Sequence, residues 1–275
     1  MPEVLSLPFL TVAVPVLVTY LLTPYYIHVQ KTKNVLAVNY QGTKVVTGGG
    51  LVLLAALAGI IFLNFFTLQG ELFSGVMFLY LGGITLLGMY DDLRGEKGCK
   101  GFRGHFLKFW RKRKISTGLY KASGGLVLGT LVAALTGGGP WGEWLLKGIF
   151  LALLSNFFNL LDTRPARAAK FFFLFSFVFI LIYKINVLPL FALWNALYIY
   201  LFWELKQKIM LGDAGAYLLG GALGFYLVAV SSPAVLLFFT IILVILHYLG
   251  EKFSFSRILE NKVLLFNRGP ARKGN

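Results

Sequence analysis

The chain has 275 residues, 57% of them hydrophobic and 13% charged, against roughly 25% charged in an ordinary soluble domain. That composition excludes a water-soluble enzyme and, at about 20 apolar residues per span, leaves room for about ten membrane helices and no separate soluble domain. The net charge of +15 would suit nucleic acid, but its distribution follows membrane topology, and the single cysteine, Cys99, excludes an intramolecular disulfide.

Nine apolar runs follow one another, at about 4–24, 45–67, 72–90, 119–136, 144–161, 169–185, 187–203, 211–230 and 234–250. Their length predicts an all-α, polytopic membrane helix bundle of about nine spans rather than a β-barrel, whose strands need only about ten alternating residues. The first run lacks a basic flank and a small-residue cleavage site, so it reads as a span and not as a signal peptide. With the N-terminus outside and strict alternation, 24 of the 26 Lys and Arg fall on the inner side; only Lys147 and Lys184 do not. The positive-inside rule therefore predicts a multi-pass plasma-membrane protein with its C-terminus in the cytoplasm. Residues 1–250 form one transmembrane, catalytic-type domain with cytoplasmic loops at 25–44, 91–118, 162–170 and 204–213, and residues 251–275 form a basic cytoplasmic tail. The basic stretch 102–114, with Phe106, Phe109 and Trp110 among its cations, fits an interfacial helix and a plain positive-inside loop equally well.

The chain has four aspartates, and this topology puts all four at the cytoplasmic ends of spans: Asp91 and Asp92 close the third, Asp162 closes the fifth, and Asp213 opens the eighth. Charged groups at such positions are expensive unless they pair, face water or bind a cation, which marks them as functional candidates. With Asn159 nearby they offer the hard oxygen donors that suit Mg²⁺, whose coordination is completed by substrate phosphates and water. His28, His105 and His247 stand too far apart for a zinc motif. Lys44, Lys121, Arg164, Arg167 and Lys170 supply cations for phosphate oxygens around the carboxylates. Glycines at 48–50 and at 212 and 215 allow a ligand to approach the backbone, although close helix packing accounts for them equally well. Mg²⁺ and cations at a membrane face together point to phosphoryl chemistry on a lipid.

Four motifs carry a family resemblance. In order they are Val46-Thr47-Gly48-Gly49-Gly50, Gly88-Met89-Tyr90-Asp91-Asp92, Asn156-Phe157-Phe158-Asn159-Leu160-Leu161-Asp162, and Leu211-Gly212-Asp213-Ala214-Gly215 with Gly220-Gly221. Together they resemble the polyprenyl-phosphate N-acetylhexosamine-1-phosphate transferases, the superfamily of phospho-N-acetylmuramoyl-pentapeptide transferase. The resemblance covers residues from about 40 to 225 and implies transfer of a sugar 1-phosphate from a UDP-sugar to undecaprenyl phosphate, releasing UMP, in cell-wall or surface glycan synthesis. It implies Mg²⁺ as cofactor, held by Asp213 with Asn159, and Asp91, Asp92 and Asp162 as catalytic groups. Lys121, Arg164, Arg167, Lys44, Gly49, Gly50 and Asn156 would bind substrate. The implied partners are a polyprenyl phosphate, a UDP-sugar and the membrane, with room for a homodimer and no nucleic acid.

Three features depart from the family pattern. Pro165 stands where a second aspartate is usual, the histidine-rich loop after His247 is missing, and nine spans are fewer than the family's ten or eleven. A non-catalytic or transport relative that binds a polyprenyl phosphate or a lipid-linked sugar is the alternative, since Arg164, Arg167 and Lys121 could serve a pure binder. A solute transporter would need more mid-span polar groups than Asn64 and Asn195.

Overall fold

The computed structural model describes residues 6–67, 71–94, 117–136, 139–183 and 188–252. Among the described residues each apolar run forms a helix over most of its length, the only single-segment way to satisfy backbone polar groups away from water. In chain order the helices are α1 (Ser6–Thr32), α2 (Gly50–Thr67), α3 (Glu71–Arg94), α4 (Thr117–Thr136), α5 (Trp141–Leu161), α6 (Arg167–Tyr183), α7 (Leu188–Leu205), α8 (Gly212–Val230) and α9 (Pro233–Lys252). Seven of the nine are long and apolar enough to cross a membrane. The exceptions are α2, which counts as a shorter apolar helix over Gly50–Phe62, and α6, whose 17 residues reach about 25 Å. The basic stretch 102–114 and the tail beyond residue 252 lie outside the described residues.

The all-α expectation needs one correction. Residues at the start of the second predicted run form a strand instead, β2 (Lys44–Val46), paired antiparallel with β1 (Leu36–Val38) in the register Leu36 opposite Val46. Local chemistry makes the hairpin: Asn39 Oδ1 accepts the N–H of Gln41 and of Thr43, and Gly42 takes a left-handed φ of +83° at the turn. Val46 also makes a parallel bridge to Ile209. Two helices overrun their predicted ends. α1 passes through Pro24 to Thr32, and α3 carries Asp91 and Asp92 in its last turns rather than releasing them into a loop.

Helix α8 is the centre of the bundle. Its span is 78% buried, against 17% for α9 at the periphery. It packs most extensively on α3 and α5, while α4 lies along α5. Small residues make that possible: Gly220 sits against the backbone at Leu154 and Ser155 of α5, and Gly215 meets Gly50 at the start of α2 backbone to backbone. Because consecutive helices run in opposite directions, the last turns of α1, α3, α5 and α7 meet the first turns of α2, α4, α6 and α8 at one end. The hairpin lies over this end, held there by the Val46–Ile209 bridge and by Asn39 Nδ2 donating to Gln207 Oε1 at 3.2 Å.

Candidate active site

The N-terminus of α8 organises this end. Its free backbone N–H groups attract an anion, and Asp92 supplies it: Oδ1 accepts from Asp213 N at 3.0 Å and Oδ2 from Ala214 N at 3.1 Å. The Thr47 hydroxyl donates to the same Asp92 Oδ1 at 3.1 Å. Gly212, left-handed at φ +71°, makes room for this arrangement, because a Cβ there would lie 2.6 Å from Asp92 Oδ2. Gly88 brings α3 against the backbone of Asp213, so the two helices touch where the carboxylates gather. Both oxygens of Asp92, a predicted catalytic group, are thus engaged in capping α8.

Its neighbour Asp91 faces the other way. Lys121 Nζ, in the first turns of α4, lies 2.5 Å from Asp91 Oδ2 and also forms an ion pair with Asp213 Oδ2. The carboxyl groups of Asp91 and Asp213 lie within hydrogen-bonding reach of each other, and the buried Oδ1 of Asp91 accepts no hydrogen bond among the described residues. Lys121 Nζ also sits 5.3 Å over the ring of Tyr217, whose hydroxyl donates to Asn156 Oδ1 at 3.2 Å.

Asp162 caps the C-terminus of α5 and accepts the backbone N–H of Gly212. Burial, with the carboxylates of Glu204, Asp213 and Asp92 around it, holds its carboxyl well above the usual carboxylate range. Asp162 also lines a cavity of about 350 Å³ between the hairpin and the loops at 163–165 and 207–210, near the lower end of the roughly 300–1,000 Å³ usual for ligand pockets. Asn39, Tyr40, Thr163, Arg164, Glu204 and Gln207 supply its polar lining. The Arg164 guanidinium lies 5.2 Å over the Tyr40 ring.

All four aspartates, Lys121 and Asn156 therefore meet in one network, and Arg164 lines the neighbouring cavity, stacked on Tyr40 of the hairpin. Gly49 and Gly50 serve packing here: Gly49 lies against the Tyr200 ring and hydroxyl, and Gly50 against Gly215. Arg167 is buried, with Nη1 donating to Thr163 Oγ1 at 2.5 Å, and so braces the loop before α6. Asn159 is half-buried in the last turn of α5, and Lys44 is exposed on β2; neither is tied to the carboxylates by a side-chain hydrogen bond among the described residues. The side-chain partners of Asp213 are thus Lys121 and Asp91, not Asn159.

Sequence reasoning missed Glu204, Tyr217 and Thr47. Glu204 carried the same signal as the aspartates, an acidic group at the end of an apolar run, and it is 3% exposed. Thr47 stood within the first motif but with no role assigned to its hydroxyl, and Tyr217 carried no signal, because the partners of both come from other elements.

Among the described residues, no group of three or more His, Cys, Asp or Glu is arranged to hold a metal ion; Lys121 supplies the positive charge between Asp91 and Asp213. In donor chemistry the pair still fits a hard divalent cation: two carboxyl groups lie side by side, with one buried oxygen unsatisfied. The chain matches no protein-family model, and no curated protein matches it.

Proposed function

We propose that this protein transfers a sugar 1-phosphate from a UDP-sugar to a polyprenyl phosphate at the cytoplasmic face of a membrane, releasing UMP. The observation that carries this reading is the junction of Lys121 with Asp91 and Asp213 at one end of an apolar bundle, beside a polar cavity that holds Arg164. An apolar exterior suits a lipid acceptor, and a polar cavity suits a water-soluble donor. In the reaction an oxygen of the lipid phosphate forms a bond to the β-phosphorus of the donor. The bond from that phosphorus to the bridging oxygen breaks, and UMP departs with the bond pair.

Asp91, whose Oδ1 is without a hydrogen-bond partner among the described residues, takes the proton of the lipid phosphate monoanion. Lys121 donates to phosphate oxygens and offsets their charge, and Arg164 holds the donor before and during transfer. Asp92 works indirectly, by fixing the backbone on which Asp213 stands. Asp91 and Asp213 are the groups that would hold Mg²⁺, which when bound neutralises phosphate charge. The same face would be the inner one under the positive-inside rule.

The test is purified protein with undecaprenyl phosphate and a panel of UDP-sugars, with and without Mg²⁺, monitoring UMP. Release from the wild type and its loss in Asp213→Ala support the reading. A specific observation favours a second one: Lys121 already closes the Asp91–Asp213 pair, as a binder without catalysis would need. Tight binding of the lipid phosphate with no UMP from any donor would establish that alternative.

A further inference from the structure

Glu204 lies at the C-terminal end of α7, buried, and each of its carboxylate oxygens accepts one backbone N–H from a different loop. Oε2 takes Ala166 N at 3.1 Å, and Oε1 takes Leu211 N at 3.2 Å. The first loop carries Arg164 and is strained: Ala166, a non-glycine residue, sits at φ +63°. The second leads directly into Gly212 and Asp213. Gln207, three residues on and itself left-handed at φ +53°, accepts from Asn39 of the hairpin, so the third wall of the cavity is referenced to the same turn.

We infer that Glu204 is the positioning residue of this site: one carboxylate sets the separation between the Arg164 loop and the Asp213 loop, and so fixes where a phosphorylated substrate is held. This inference rests on the proposed function for the identity of the ligand. The chemistry explains why a carboxylate is needed. The two N–H donors reach opposite ends of the carboxyl group, so an acceptor is needed at each end. A glutamine of the same shape offers one oxygen and turns an NH₂ toward the other N–H, leaving a buried donor unsatisfied. The Ala166 turn keeps the Arg167 N–H on Arg164 O and the Arg167–Thr163 bond, but these are local to its own loop; only Glu204 ties the loop to the one at Leu211, so its position relaxes when the Ala166 N–H is released.

The experiment uses the full chain in lipid nanodiscs, as wild type, Glu204→Gln and Glu204→Asp. Amide hydrogen exchange is read in peptides covering residues 163–168 and 208–213, and affinity is measured for undecaprenyl phosphate itself. In Glu204→Gln at least one of the two loops exchanges at least tenfold faster while the interiors of α7 and α8 keep wild-type protection, and the lipid phosphate binds at least fivefold more weakly. Glu204→Asp, which keeps two acceptors, recovers part of both losses. Arg164→Ala weakens binding in the wild type but adds little in the Glu204→Gln background, because the guanidinium is already misplaced there. Unchanged exchange in Glu204→Gln overturns the inference, and so does a full, additive effect of Arg164→Ala in that background, which is what a general loss of stability produces. A wild type that binds no polyprenyl phosphate overturns the proposed function instead, and the exchange comparison then decides the clamp by itself.

Discussion

Replacing Lys121 with methionine keeps the aliphatic stem over Tyr217 and removes the ammonium from between Asp91 and Asp213. The side chain of Lys121 is only 8% exposed, and those of its partners are 16% and 24% exposed, so water screens little of what is lost. Removing one partner of a buried ion pair typically costs about 3–5 kcal/mol, mostly through the uncompensated charge left behind. Here two carboxyl groups are left against each other, which places the expected loss in that range rather than in the ~1 kcal/mol of a surface pair. At about 2–4 °C per kcal/mol for a chain of this size class, thermal unfolding in detergent should fall by roughly 6–20 °C. The decisive comparison is Lys121→Met with Asp213→Asn. If electrostatics between these three groups is the cause, the double variant regains most of the lost stability, because the amide no longer repels Asp91. A single variant within about 1 kcal/mol of wild type, or a double variant no more stable than the single, would refute the reasoning and leave Lys121 as an incidental neighbour.

Gly212→Ala should destabilise the protein by at least about 1–3 kcal/mol, since it adds a Cβ at φ +71° within 2.6 Å of Asp92 Oδ2; a melting temperature equal to that of the wild type would count against the capping role of Asp92. Because the carboxyl of Asp162 is held above its usual range in the folded state, the unfolded chain loses this proton first as pH rises. Wild-type stability should therefore fall relative to Asp162→Asn as pH increases from about 4 toward neutrality, measured as denaturation midpoints at pH 5 and pH 8; a wild type that gains stability relative to the variant between those pH values contradicts the assignment. For the proposed activity, Asp213→Ala should abolish Mg²⁺-dependent UMP release while Arg164→Ala raises KM with a smaller effect on kcat, the signature of uniform binding. In a Cys99→Ser background, cysteine at Ser232 should be labelled from outside and cysteine at Lys206 from inside; the reverse pattern would overturn the proposed orientation.

The sequence by itself was sufficient for the helices. A run of about 20 apolar residues has one economical conformation in hydrocarbon, so nine runs became nine helices, and four scattered aspartates at run ends could be recognised as candidates before any contact was known. It was insufficient wherever the deciding partner lay elsewhere in the chain. Asp91 and Asp92 are adjacent in sequence and both acidic, yet one binds Lys121 while the other caps α8, because helical geometry points successive side chains about 100° apart. The strand at 44–46 was hidden inside an apolar run, since valines suit either structure and only pairing with residues 36–38 and Ile209 selects the strand. Glu204 was visible as a residue but not as a link between two loops 45 residues apart, from Ala166 to Leu211. Local hydrophobicity decides secondary structure over a few turns, whereas the two ends of a hydrogen bond between loops are brought together only when the bundle packs, and that is where the site was made.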